Sequence, residues 1–371
     1  MKDSFKLSGI LILVLVKVLF LVPYPPGEAP SQRFRFEQYL ELLEGNDMTY
    51  ALQPFLSRSN WRVFYREGNY LKKALILLGG FFRRIKAIAI SSQFDFIFIH
   101  REAAPLGPPL VEWFLAVVLR KKIIYDFDDA IWMTDVTDES FLNRMVKWRS
   151  KVANICRWSY KVSCGNEFLC SYAARFNRSV IFVPTTLDTD SIHIPSRKST
   201  SNGSLSIGWT GSHSTLKYLN ALEAVLQKLT DDFRNLRVRI IADRKPALNI
   251  PNLEFAPWNK ENEIEDLLQI DIGIMPLPDD EWSKGKCGFK ALQYMALEIP
   301  AVVSAVGANS TIVRSGIDGF VVKSDEEWLR ALSKLIAEPE LRKKMGKNGR
   351  QRVIENYSVL ANTSRFLSLF S

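Results

Sequence analysis

Short apolar runs and helix-periodic segments alternate along this chain in two successive cycles separated by a polar stretch. Lys17 to Val22 is a compact apolar run that predicts a buried first strand. The Pro/Gly loop 23–30 follows it, and then SQRFRFEQYLELLEG, where Ser31 is placed to cap a helix with Phe34, Tyr39, Leu40 and Leu43 on its apolar side and Gly45 past its end. FDFIFI predicts the next strand, GPPLVEWFLAVVLRKK a helix with proline near its start, and Ile123 to Tyr125 a strand running into DFDDAIW. Helical periodicity from Phe141 to Trp158 leads to a strand, Asn166 as a cap, a helix and the strand SVIFVP. Residues 189–204 are Ser/Thr-rich without hydrophobic periodicity, which is linker composition. The alternation then restarts with SLSIGW, LRVRIIA, NLEFAPW, DIGIMPL, Ile299 to Val306 and GFVV as strands, and ends in helices. The pattern predicts an α/β protein of two facing doubly wound, Rossmann-like domains with a C-terminal helical segment. The expected divisions are an extension of open role (1–16), a first domain (17–188), a linker (189–204), a second domain (205–350) and a terminal helix (351–371) crossing back to the first. The cleft between the domains is the natural ligand site.

Composition narrows this picture. With 371 residues and 47% apolar content the chain is long enough for two cores and is not a disordered protein. Residues 10–22 are apolar apart from Lys17, but the uninterrupted runs are shorter than the roughly 20 residues of a spanning helix, and no small-residue cleavage site follows. A buried strand is the reading; a membrane anchor is the alternative. Four cysteines without a C-x-x-C pair, and three histidines, point to a reducing cytoplasm and no structural zinc.

The net charge of +9 is uneven, with eight Lys or Arg and one Glu between Arg58 and Lys86. Within that region YLKKALILLGGFFRRIKAIAIS predicts an apolar helix pair broken near Gly79 and Gly80 and bearing Lys72, Lys73, Arg83, Arg84 and Lys86. Apolar bulk flanked by cations is the composition of an interfacial helix on anionic lipid. The expected location is therefore cytoplasmic, peripheral to the inner membrane face, with no nucleic-acid partner. The other reading is a helix covering the sheet with its lysines in water.

Candidate chemistry concentrates in three places. The stretch WSKGKCGFKALQYMALEIPAVVSAVGAN joins a basic Gly loop to an amphipathic helix, with Gly285 and Gly288 free to adopt unusual backbone conformations and Lys286 and Lys290 four residues apart. A helix start with free amides and two ammonium groups suits a phosphorylated ligand. DFDDAIW places Asp126, Asp128 and Asp129 at a strand end, where carboxylates bind a metal, act as a base or hold hydroxyls. Arg33 and Arg35 stand in the first turn of the expected helix, against the helix dipole.

Taken together, from FLVPYPPGEAPSQRFRFEQYL through YDFDDAIW to KCGFKALQYMALEIPAVVSAVGANSTIVRSGIDGFVV, the chain resembles a glycosyltransferase of group 1, also called family 4, with the GT-B fold. The resemblance implies that the second domain binds a nucleotide-diphosphate sugar and the first the acceptor, with retention at the anomeric carbon and no cofactor or metal. The function implied is transfer to a glycan or lipid-linked acceptor in cell-surface polysaccharide or glycoconjugate synthesis. Family members carry two glutamates eight residues apart, for the sugar and the ribose; here Gly285 and Gln293 stand at those positions. Gln293 retains hydrogen-bonding capacity for a ribose, whereas Gly285 offers the sugar nothing. Many relatives have a Gly-Arg pair in the first loop of the donor domain, where this chain has Gly211, Ser212, His213 and Ser214.

The donor-side residues implied are thus Gly211, Ser212, His213, Ser214, Lys286, Cys287, Gly288, Phe289, Lys290 and Gln293. On the acceptor side stand Gly27, Glu28, Arg33, Arg35, Arg101, Asp128 and Asp129. Asp126 and Lys290 are the catalytic candidates, Asp126 because it lies near the position of a histidine beside the reacting sugar in relatives. Two competing readings remain. DFDD also contains the Asp-x-Asp of metal-dependent GT-A glycosyltransferases and of aspartyl phosphatases, neither of which explains the second strand-helix array. The missing glutamate pair also fits a non-catalytic nucleotide-sugar sensor or assembly partner.

Overall fold

The computed structural model describes residues 15–64, 66, 68–134, 147–196 and 204–371. Strands β1 (Val16–Val22), β2 (Met48–Pro54), β3 (Phe96–His100), β4 (Lys122–Phe127), β5 (Lys161–Cys164) and β6 (Val180–Phe182) form one six-stranded sheet in the order β2-β1-β3-β4-β5-β6. A second six-stranded sheet contains β7 (Leu205–Gly211), β8 (Leu236–Ala242), β9 (Leu253–Pro257), β10 (Ile272–Met275), β11 (Ala301–Ser304) and β12 (Gly319–Val322), ordered β12-β11-β10-β7-β8-β9. Every pairing is parallel. These are the two doubly wound domains that the alternation predicts.

Parallel strands covered on both faces read as continuous apolar runs, and β1 shows why. Val18, Phe20 and Val22 point into a core shared with Phe36, Phe98, Phe366 and Phe370. Leu19 and Leu21 point the other way, to Ile97, Ile99, Leu115 and Tyr125. Strand order reverses between β1 and β3 in the first sheet and between β7 and β10 in the second. At such switch points neighbouring loops diverge and open a crevice beyond the carboxyl ends of the strands.

The C-terminal residues belong to the first domain's core. After the helix Pro339–Tyr357, Ser358 caps the helix Val359–Leu367. Phe366 from that helix stacks on Tyr39 with ring centroids 4.3 Å apart. Tyr160 Oη and Lys161 Nζ each donate to the Ser371 carbonyl at 2.8 Å.

Four local expectations are corrected. The single helix expected from Ser31 is instead Pro30–Arg33, a 3-10 turn Glu37–Tyr39 and Leu40–Glu44, and Ala29, not Ser31, occupies the cap position. The break coincides with Arg35, whose guanidinium is drawn into the domain interior. Besides these four, MTYALQP, for which the pattern gave no element, forms edge strand β2. Tyr70–Ile90 is one continuous helix, because Gly80 lets it approach the Phe55 ring, which any Cβ there would strike. Arg84 is not part of a basic surface but is buried, donating to the carbonyls of Ala103 at 2.5 Å and of Val22 and Gln53 at 2.8 Å. The expected helix before β4 is the short Leu110–Trp113 continued by a π-helical turn, Phe114–Val118. Most of the N-terminal extension (1–14), part of the expected helix (141–146) and part of the linker (197–203) lie outside the described residues.

Phe366→Ala removes a ring from the centre of the first domain's core, so it should cost about 3 to 5 kcal/mol of stability. Urea unfolding checks this, and a loss confined to the second domain's transition would contradict the packing.

Candidate active site

Loops beyond the carboxyl ends of the two sheets meet between the domains. Their central contact is made by DFDDA of the first domain against the Gly285–Gly288 loop of the second. Lys286 Nζ donates to Asp129 Oδ2 at 2.8 Å, and the Cys287 thiol donates to the Asp128 carbonyl at 3.1 Å. Asn166, which caps the helix Glu167–Ala174, also donates to the carbonyls of Lys284 and Lys286 at 3.2 and 3.1 Å. Gly285 has an ordinary φ of −71°, contrary to the expectation of an unusual backbone there. Its absent side chain matters for space: a Cβ would lie 2.6 Å from Ala130 Cβ. Gly288 does take a left-handed conformation, φ 66°, as the residue preceding the helix Phe289–Ala296.

Beside this contact lies a cavity of about 340 Å³ lined from both domains, with Glu28 and Pro30 on one side and Gly211, Ser212, Trp258, Glu263, Lys290 and Gln293 among its walls on the other. Lys290 is half-buried, with Nζ 5.4 Å from the Trp209 ring centroid, and makes no ion pair among the described residues. Burial, assisted by the neighbouring Lys286, pushes its pKa down to about 8. Gln293, one turn along the same helix, is buried and donates to Glu263 Oε1 at 3.2 Å. Arg33 donates to Glu263 Oε2 at 2.7 Å, so a chain of three side chains crosses the interface. Phe34 crosses too, its ring 4.4 Å from that of Phe289.

Several sequence candidates have other employment. Asp126 is buried at the end of β4, accepting from Arg35 Nη2 at 2.5 Å, His100 Nδ1 at 2.8 Å and Ser163 Oγ at 2.7 Å. Burial opposes its ionisation, but Arg35 and His100 outweigh that and hold the carboxyl well below its usual range. A carboxylate enclosed in this way orders the strand ends and has no face turned to a sugar. Arg35, also hydrogen-bonded to the Val183 carbonyl, is likewise interior. Asp128 is paired with Arg101 at 2.7 Å and Asp129 with Lys286, so each carboxylate of DFDD already faces a cation. Lys286 and Cys287 serve the domain contact and do not line the cavity that holds Lys290. His213 is exposed and paired with Asp243 at 2.6 Å, while Ser212 and Ser214 share a hydrogen bond of 2.8 Å. Gly27 forms a turn at φ 79° whose amide donates to Glu37.

The structure therefore brings together Glu28, Gly211, Ser212, Phe289, Lys290 and Gln293 from the residues named in the sequence. Glu263, Trp258 and Asp243 were missed. Asp243 and Trp258 come directly after β8 and β9, and Glu263 opens the helix Glu263–Leu267; position at a strand end or helix start is their only local signal.

The comparisons with known proteins concern the second domain first. Residues 221–352 match the family model described as glycosyl transferases group 1. Over those residues the second domain is similar to the group 1 family. No curated protein matches the chain by sequence. Among solved structures, sucrose-phosphate synthase from Thermosynechococcus elongatus superposes with a TM-score of 0.67 at 12% identity, over 96% of this chain and 98% of that one. A glycosyltransferase from Rickettsia africae gives 0.66 at 13%, covering 96% and 97%. Anabaena HepE in complex with UDP-glucose gives 0.66 at 13%, covering 95% and 99%. These likenesses show a shared two-domain GT-B fold.

Asp126→Ala leaves Arg35 buried without its partner, and should cost about 3 to 5 kcal/mol. Asp129→Ala, at the half-buried rim, should be far milder. Thermal unfolding of the pair checks the assignment; equal losses would contradict an interior, organising role for Asp126.

Proposed function

We propose that the chain is a retaining, family 4 glycosyltransferase that takes a sugar from a nucleoside-diphosphate-sugar donor held between its domains and transfers it to a glycan or lipid-linked acceptor. Cell-surface polysaccharide or glycoconjugate synthesis is the setting that fits this reading. The observation that carries it is Lys290: a half-buried ammonium with no ion-pair partner among the described residues, facing an interdomain cavity beside the Gly211–Ser212 loop. Departure of the nucleoside diphosphate places negative charge on a phosphate oxygen, and a prepositioned cation in a partly desolvated site lowers that barrier. Gln293 and Glu263, a turn further along the wall, suit a ribose diol, and Trp258 supplies a flat side for the base. Asp126 organises the acceptor domain in this scheme and does not touch the substrate.

A sensor that binds donor without turning it over is the second reading. It is favoured by Gly285, where Ala130 leaves no room for the sugar-contacting glutamate that the family resemblance implies. Turnover separates the two: release of UDP from UDP-sugars supports the enzyme, and binding without release supports the sensor. HepE structures hold UDP and UDP-glucose, which makes uridine nucleotides the first probes.

The anion should bind the protonated form of Lys290, so affinity for UDP should fall as pH rises past about 8, the pKa of Lys290 in the unliganded protein. Lys290→Met should weaken UDP roughly tenfold to a hundredfold, the worth of a charge-assisted hydrogen bond. Lys290→Arg should keep the charge and abolish the alkaline fall. Calorimetric titrations across pH check both, and unchanged affinity in Lys290→Met overturns the site. Because the DFDD carboxylates are already paired, EDTA should leave UDP binding and turnover intact; loss on chelation would favour the metal-dependent reading.

A further inference from the structure

The helix Tyr70–Ile90 is apolar on two opposite faces, and its own chain covers only one. Ile76, Gly80, Arg84 and Ala87 face inward. Leu71, Leu75, Leu78, Phe82 and Ile85, spaced three or four residues apart, face outward and are each more than half exposed, from Leu78 at 55% to Leu71 at 79%. A helix apolar on both sides is ordinarily buried on both. The neighbouring Leu110–Trp113 segment and the π-helical turn after it extend the surface with exposed Leu110, Trp113 and Val117.

Charge identifies what covers this face. No Asp or Glu occurs between Asn69 and Gln93, whereas Lys72, Lys73 and Lys86 stand on the helix itself. Arg62 and Arg66 lie just before it and Arg120 and Lys122 follow the adjoining segment, all exposed. Self-associating helices usually carry both signs beside the apolar seam. Pairing this face with a second copy would set lysines against lysines, while an anionic lipid surface accepts both the stripe and its cations. Among the described residues no helix is long and apolar enough to cross a membrane, so the stripe fits a helix lying in the interface.

The geometry points to the face formed by Tyr70–Ile90 and Leu110–Val118 as a docking surface for anionic membranes. The helix lies about 30 Å along the headgroup plane, with the Leu71-to-Ile85 stripe inserted and Trp113 at the headgroup level. The helix Arg58–Phe64 packs on its start, and Arg58, Trp61 and Arg62 line a groove of about 730 Å³ shared with Trp258 and Lys260 of the second domain. Glu28, paired with Arg58, and Glu261 also line that groove, so an acceptor anchored in the same membrane would meet an entrance of mixed charge beside the cleft, a consequence that rests on the transferase reading above. Membrane docking itself does not.

Sedimentation of the full chain with vesicles tests it. Phosphatidylcholine vesicles containing phosphatidylglycerol should carry the protein down, and pure phosphatidylcholine much less. The double variant Leu75→Glu with Phe82→Glu should weaken vesicle binding at least tenfold, since it places two charges in the inserted stripe. Each lysine-to-alanine change at the exposed Lys72 and Lys86 should weaken binding to anionic vesicles about fivefold. The stripe variants should retain thermal stability and UDP affinity. Failure of the unaltered chain to sediment, or sedimentation indifferent to the double variant, would overturn the proposal. So would a lipid-independent dimer that the double variant dissolves. If vesicles bind but UDP does not, the docking surface stands and the donor reading falls.

Discussion

The closeness of two loops, Asp128–Ala130 and Gly285–Cys287, governs how this molecule can work. Ala130 sits where any side chain at Gly285 would project. That contact allows Asp129 to reach Lys286 and the Asp128 carbonyl to accept from Cys287. One lysine of the basic loop is thereby neutralised, and the other, Lys290, is left as a charged group facing the cavity. Division of labour between two lysines four residues apart follows from the fit of one domain against the other.

The first domain shows a related economy of charge. Three aspartates in four residues would repel one another at a strand end, and each is instead matched to its own cation: Asp126 to Arg35 and His100, Asp128 to Arg101, Asp129 to Lys286. The innermost pair is wholly buried, where an unpaired charge would be costly, so it anchors the loop from within. Arg35 reaches it only because the helix after the first loop breaks. A local propensity for helix yields there to a buried ion pair.

A second continuity runs through the C-terminus. The final helix and the 3-10 turn Ser368–Phe370 after it fill the first domain's core with Phe366 and Phe370, while the preceding long helix packs on the second domain. The chain thus passes between the domains again beside the Leu187–Ser358 bridge, and the cavity that Lys290 faces lies between bodies joined at more than one place.

The alternation of apolar runs and helical periods determined the two parallel sheets, because strands buried on both faces must be apolar throughout. Asn166 as a cap and Gly288 as a left-handed residue were legible for the same kind of reason: each answers a local demand of the backbone. What lay beyond the sequence was partnership. Asp126 and Asp129 look alike in DFDD, yet one is sealed by Arg35 and the other holds a lysine from the far domain. Arg84 reads as part of a basic helix face but is buried under three carbonyls, and Glu263 carries no motif at all. Those assignments depend on residues brought together from distant parts of the chain, and only the packing of the two domains decides which charge meets which.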